Sequence, residues 1–318
     1  MTELEYLLTT LAAVLIVAVM RHWRPLAGWL DRPGFLLAMT GACIGLLDPA
    51  LGFMLAPDRI AMLARPPVFA GGLAGLMLIA AVALLAGFTV GGRRALKAAG
   101  LLAGGYALFL ILSLFSVAGV PLLEPFSDYQ VRIPIFPTGY ILLIALLAVG
   151  LVSIELWNKK QPRVFPVVAV FIGLYFVLAV VVANIANIKG SGLEGPGLRV
   201  NVYPGNIWHT HWILVTTRGD QYELRRYDLF GPGLTPPAVI RRWNDEPMLI
   251  RLLSDPVVGY FYWRMFNNPV VNIENTNTQI SLMIQEAHSL VPMVPGKTFI
   301  LESDLRGRNR YYQLQRFD

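Results

Sequence analysis

Val164-Phe165-Pro166-Val167-Val168-Ala169-Val170-Phe171-Ile172-Gly173-Leu174-Tyr175-Phe176-Val177-Leu178-Ala179-Val180-Val181-Val182-Ala183-Asn184-Ile185-Ala186-Asn187-Ile188 decides how this chain is read. Its 25 residues contain no Lys, Arg, Asp or Glu. A helix rises about 1.5 Å per residue, so roughly 20 apolar residues cross a hydrocarbon core of about 30 Å. Five further apolar stretches precede it, at Tyr6–Met20, Phe35–Leu55, Val68–Phe88, Leu96–Gly119 and Gly139–Trp157. The pattern predicts a membrane α-helical bundle of about six transmembrane helices over residues 1–189. A linker at 190–197 and a C-terminal soluble α+β domain over 198–318 complete the expected organisation.

Charge divides the chain at the same place. Residues 1–189 carry 13 Lys/Arg and 8 Asp/Glu, and residues 190–318 carry 13 and 12. Most of the net charge of +6 therefore belongs to the apolar part, where basic loops orient helices. A basic face on the polar part, which nucleic-acid binding requires, is not indicated. Cys43 is the only cysteine, so no intrachain disulfide can form.

The start, Met1-Thr2-Glu3-Leu4-Glu5, is acidic rather than basic, so the first stretch is expected to act as a retained anchor. Alternate loops hold Arg21, Arg24 and Arg32, then Arg93, Arg94 and Lys97, then Lys159, Lys160 and Arg163. The other side offers Arg59, Arg65, Arg132 and Lys189. The bias predicts a multi-pass chain with N-terminus and C-terminal domain on the non-cytoplasmic side. A re-entrant Phe35–Leu55, broken at Asp48-Pro49, would change that parity. Small residues four apart, at Gly41/Gly45, Gly71/Gly75 and Gly100/Gly104, permit close helix approach. Packing within the chain is the main expectation; a homodimer or another membrane-protein partner, besides the bilayer itself, is the alternative. The acidic residues inside the stretches are Asp48 and Glu155.

Beyond the linker, Leu198–Tyr203, Ile207–Thr217 and Gln221–Leu229 are rich in β-branched and aromatic residues, with a turn at Arg218-Gly219-Asp220. Pro236–Phe266 suggests two or three short helices, and Val270–Glu274, Thr278–Ala287, Thr298–Glu302 and Tyr311–Phe317 suggest further strands. His209 and His211 flank Thr210, so within a strand they would share a face as metal ligands can. Asp304, His288 or Glu302 could supply a third ligand. A solvated or partner-facing strand surface is the more ordinary reading. Neither a Gly-x-Ser-x-Gly elbow nor a phosphate-cradling loop occurs.

Ser113-Leu114-Phe115-Ser116-Val117-Ala118-Gly119-Val120-Pro121-Leu122-Leu123-Glu124-Pro125-Phe126-Ser127-Asp128 resembles the signature of the LexA-regulated inner-membrane metal-dependent hydrolases. Leu8–Ala12, Gly41–Asp48 and Arg65–Gly71 are similar, in order, to that family's other motifs. The resemblance implies a membrane metallohydrolase scaffold in a bacterial inner (plasma) membrane. Carried over position by position, however, Thr10, Leu46, Arg65, Ala70, Phe109 and Ser113 stand where the family has ligands, and only Asp48 survives. One carboxylate cannot hold a catalytic cation, which needs about three protein ligands.

The expectation is therefore a divergent relative that acts by binding or scaffolding, with no cofactor. Asp48, Asp128 and Arg132 remain as catalytic candidates, each with a structural role as the plainer alternative. A working hydrolase would need a divalent metal on residues such as His209, His211 and Asp304. A transporter or channel accessory subunit is a third reading.

Overall fold

A computed structural model describes residues 3–47, 50, 75–82, 85, 92–116, 131, 133–136, 140–157, 164–193, 195, 198–206, 208–266, 268–276, 279–290, 296–304 and 310–317. The described residues divide into two compact units, one reaching to Val181 and the other beginning at Val182.

The first unit is helical. α1 spans Glu3–Met20, α2 Arg24–Ala27, α3 Arg32–Cys43, α4 Gly92–Leu114 and α5 Ile141–Trp157. α6, Val164–Ser191, begins here and runs on into the second unit. Local chemistry sets these boundaries. A proline in the first turn of α2 and another in that of α3 suit positions whose N–H would be unpaired anyway. Asp31 caps α3 by accepting from the Gly34 N–H at 3.1 Å, and Lys97 of α4 lies 3.6 Å from the same carboxylate.

Among the described residues, two helices are long and apolar enough to cross a membrane. They are Arg94–Leu114, with a mean hydropathy of 1.8, and Val164–Ser191, with 2.8. The expected six-span bundle is therefore corrected. Hydropathy counted apolar residues without seeing where helices break. α1 stops at Met20, before the Arg21–Trp23 turn; α3 tightens into a 3-10 turn at Ile44–Leu46; and α5 has 17 residues, about 25 Å of rise. Most of Val68–Phe88 and the end of Phe35–Leu55 lie outside the described residues.

α6 is not a core helix of the ordinary kind. Protein buries only 6% of its most apolar part, against 33% for α4. Val170, Phe171, Leu174, Val177 and Leu178 are all more than half exposed. Apolar surface on that scale is covered by lipid or by another protein.

Close backbone approach joins α3 to α4. A Cβ on Gly41 would fall on the Leu102 carbonyl, one on Gly105 on the Ala38 carbonyl, and one on Gly45 on the Phe109 ring. The Gly41/Gly45 pair thus serves packing within the chain. Nothing lies within 4 Å of a Cβ built on Gly100 or Gly104.

The second unit holds two antiparallel sheets. β1 (Arg199–Pro204), β2 (His211–Arg218), β3 (Gln221–Asp228) and β4 (Gly233–Leu234) lie in that order, and β5 (Ala238–Arg241) also pairs with β3. β6 (Pro269–Asn275), β7 (Gln279–Glu286), β8 (Gly296–Asp304) and β9 (Arg310–Phe317) form a meander. These strands fall where β-branched and aromatic runs placed them. Pro236–Phe266 differs: it holds β5 as well as α7 (Glu246–Leu252), α8 (Pro256–Tyr260) and a π-helical turn. The expected linker differs too. α6 continues to Ser191, and a Cβ on Gly190 would meet Val202 at 2.9 Å and Val200 at 3.4 Å, so the last helical turn packs on β1.

Gly41→Ala is expected to destabilise the helical unit by about 1–3 kcal/mol, because the methyl group must displace a carbonyl. Gly100→Ala should be neutral or stabilising by up to about 1 kcal/mol. Unfolding in a detergent–denaturant series compares them.

Candidate functional site

The helices of the first unit leave a gap. α1 packs along α5, and α6 touches α5 where Gly150 faces Val168. Between α1 and α6 lies a cavity of about 1030 Å³, lined by Ile16, Val19 and Met20 of α1, Leu147 of α5, and Phe165, Pro166, Ala169, Ile172, Gly173 and Phe176 of α6. His22, Trp23 and Pro25 border it after the end of α1. Its size stands at the upper end of small-molecule sites, about 300–1,000 Å³. Phe176 stacks with Phe136 (edge-on, centroids 5.4 Å apart), and Phe136 in turn contacts Tyr140 and Tyr175. That aromatic cluster holds the helix wall in place. Gly173 has open space where a Cβ would be, so the width of the gap there is set by a missing side chain.

One end of the cavity is polar. His22 Nε2 lies 3.1 Å from Glu155 Oε1, joining the turn after α1 to the end of α5. The carboxylate side chain is 61% exposed, so the pair orients groups more than it stabilises the fold. Hydropathy marked Glu155 as a helix-end residue but gave no reason to single out His22, which lies just beyond the apolar run.

The residues proposed as metal ligands are arranged otherwise than expected. His209 is not in a strand: it has φ +58 in the turn before β2, and its buried ring lies against Trp212. His209 and His211 therefore do not share a strand face. His211 is committed on both ring nitrogens. The Asn206 amide oxygen accepts from the Thr210 N–H at 3.0 Å, which turns its NH2 toward His211 Nδ1, 2.7 Å away. Nδ1 must then accept, and Nε2 carries the proton, 3.2 Å from Asp228 Oδ2. Asp304 belongs to β8, in the other sheet, where its backbone pairs with Gln279; its side chain lies outside the described residues. Among the described residues, no three His, Cys, Asp or Glu side chains converge as a metal site.

Asp48, Asp128 and Arg132 also lie outside the described residues. Thr10, Phe109 and Ser113, which stand at ligand positions in the family resemblance, are all buried.

Sequence reasoning missed a buried polar cluster that ties the two sheets together. Along β7 the inward positions are Ile280, Leu282, Ile284 and then Glu286. The Asn268 N–H donates to Glu286 Oε2 at 3.3 Å, and Asn268 Nδ2 donates to the Tyr203 hydroxyl of β1 at 2.6 Å. Asn201 donates to Asn268 Oδ1 at 3.0 Å. His288 stacks on Tyr203 (centroids 4.4 Å apart), with Nδ1 3.5 Å from Glu286, an electrostatic contact rather than a well-formed hydrogen bond. The period-two alternation that put three aliphatic residues inward also put Glu286 there, which was a legible signal. A cluster so enclosed by its own partners joins sheets rather than meeting a substrate.

Burial pushes the Tyr222 phenol up to about 12, against the Arg242 guanidinium, which pulls it down. Tyr262 is raised by burial in the same way.

Comparison with known proteins is silent: no family model, no curated protein and no solved structure matches this chain.

Asn268→Ala should cost about 1–3 kcal/mol in the C-terminal unit, because the Tyr203 hydroxyl and the Asn201 amide lose their common side-chain partner, while the backbone N–H still serves Glu286. Equilibrium denaturation measures it. Tyr222 gives a pH dependence of determined sign. Its folded value exceeds the unfolded value of about 10. Its contribution is full below about pH 10 and is lost as pH rises toward about 12. A tyrosinate absorbance titration of the protein minus Tyr222→Phe should show the missing phenol titrating near the upper value, and higher still with Arg242→Gln.

Proposed function

We propose that this chain is a membrane-embedded binding protein that holds an apolar or amphiphilic ligand between α1, α5 and α6. The observation that carries the reading is the cavity of about 1030 Å³, apolar along its length and polar at the His22–Glu155 end. A site with a long apolar wall and one polar end suits an amphiphile, because each part of such a ligand finds its own solvent there. The uncovered sides of α6 support membrane residence.

Charge supports an orientation. Arg93, Arg94 and Lys97 stand at the start of one span, and Lys159, Lys160 and Arg163 stand before the other. α6 then begins on the cytoplasmic side of a plasma membrane, and the C-terminal sheets that follow it lie on the far side. α6 has 28 residues, more than the roughly 20 a bilayer needs, and its last turn packs on β1. The end of α6 is thereby fixed to the first sheet. This is the behaviour of a divergent relative of the membrane hydrolases that binds rather than cleaves. Thr10, Leu46 and Ser113 at ligand positions support that reading.

Gly173→Phe tests it, because the new ring enters open space rather than backbone. Solvent extraction of the purified protein, followed by mass spectrometry, should yield an apolar compound in near-stoichiometric amount from the wild type. The variant should yield about tenfold less or lower still, the effect of excluding a few methylene groups. Equal recovery from both proteins, each folded, would remove the cavity as the binding site.

A further inference from the structure

We infer that the ligand of this cavity is an uncharged lipid alcohol, its hydroxyl donating to Nδ1 of His22 and its hydrocarbon body lying along α6. The inference rests on the binding reading above and adds to it the class of head group. Three observations carry it.

The first is the state of the His22 ring. Its Nε2 lies 3.1 Å from Glu155 Oε1. A lone pair on Nε2 would face the lone pairs of the carboxylate, so the ring proton belongs on that nitrogen. The neutral imidazole then keeps its acceptor on Nδ1, and among the described residues no donor meets that atom. His22 lines the cavity, with its side chain 21% exposed. An acceptor so far withdrawn from water calls for a donor from whatever fills the site.

The second is the match of head group to the polar end. Glu155 sits beyond the ring, so an anionic head group at Nδ1 would meet a lone pair backed by a negative charge. An ester or ether oxygen has no proton to give. An ammonium would donate, yet it has no lone pair for the indole N–H of Trp23, the other polar group bordering that end. A hydroxyl does both: it donates to Nδ1 and accepts from an N–H.

The third is the rest of the wall. From Phe165 to Phe176 the lining residues of α6 are apolar over about 16 Å of helix, and Ile16 and Leu147 face the same space. Val170 and Phe171, on the outward side of α6, are exposed and apolar as well. A hydrocarbon chain entering from the bilayer therefore passes between apolar surfaces, with no polar barrier to desolvate. One hydroxyl on a long hydrocarbon body is the chemistry that diacylglycerols and polyisoprenoid alcohols share.

Native mass spectrometry of the full-length protein in detergent tests the inference with two probe pairs. They are 1-palmitoyl-2-oleoylglycerol and farnesol, each in equimolar competition with its own methyl ether. The expected result is one alcohol retained per chain and favoured over its ether about five- to tenfold, the worth of one hydrogen bond. The pair that shows the preference identifies the source, glycerol-borne or isoprenoid. His22→Phe keeps a ring and removes the acceptor, so alcohol and ether should be retained alike. Glu155 is a positioning residue that acts through the ring. Glu155→Gln alters an exposed side chain, and its amide can donate to Nε2 as well as accept from it. Nδ1 then carries the proton part of the time, and the preference should fall. That readout stands even where His22→Phe does not fold. Gly173→Phe should lose all four probes. Equal retention of alcohol and ether by the wild type would overturn the hydroxyl inference and leave the cavity reading standing. A wild-type preference in either folded variant would overturn the assignment to His22. Retention of no probe, while an extracted compound still occupies the site, would overturn the alcohol inference alone. An empty site in every measurement would overturn both.

Discussion

An apolar helix that its own protein leaves uncovered must be covered by something else, and α6 is such a helix. Twenty-five residues without a formal charge form most of one continuous rod. Along that rod the small residues Ala179, Ala183 and Ala186 are buried, while Val170, Phe171, Leu174, Val177 and Leu178 face outward. In water such an arrangement would expose apolar surface at about 25 cal/mol per Å², and the chain would rearrange to hide it. In a bilayer the outward residues are already solvated, and the cost disappears. On the proposed membrane reading, the same condition removes the drive for α6 to close against α1. With lipid as solvent there is little hydrophobic drive between helices, so a gap survives where side chains do not interlock. Gly173 and Ala169 on the facing wall keep it open.

Close packing is reserved for the other helix pair. Gly41 and Gly105 let α3 and α4 touch backbone to backbone, Gly45 makes room for the Phe109 ring, and Asp31, Trp29 and Lys97 fasten the same pair at one end. The first unit therefore combines a tight α3–α4 pair with an α6 that stands off α1 across the cavity. In the C-terminal unit the corresponding joint is polar. The Asn268 side chain accepts from Asn201 and donates to Tyr203, both of β1, while its backbone N–H donates to Glu286 of β7, so the sheets are fixed to each other by geometry as well as by apolar contact.

Much of this was legible in the residues, and the failures have physical causes. Strands β1–β3 and β6–β9 followed from β-branched runs and turns, since alternation reports directly on which side meets the core. The helical half was over-read because hydropathy registers composition and not continuity. Three apolar helices fall short of a crossing length, at Tyr6–Met20, Arg32–Leu46 and Ile141–Trp157. His209 and His211 were placed on one strand face by their spacing, but Asn206 pulls the chain into a turn and β2 starts only at His211. The cavity itself could not be read. It is made of ordinary apolar residues from three helices, and only their three-dimensional arrangement distinguishes a gap from a core.

The most direct test of the account is a density map of the full chain in a nanodisc formed from its own membrane lipids. The account predicts elongated density between Ile16, Leu147 and Gly173, with its polar end beside His22 and α6 embedded in the bilayer. Direct contact of α1 with α6 and no density between them would contradict it.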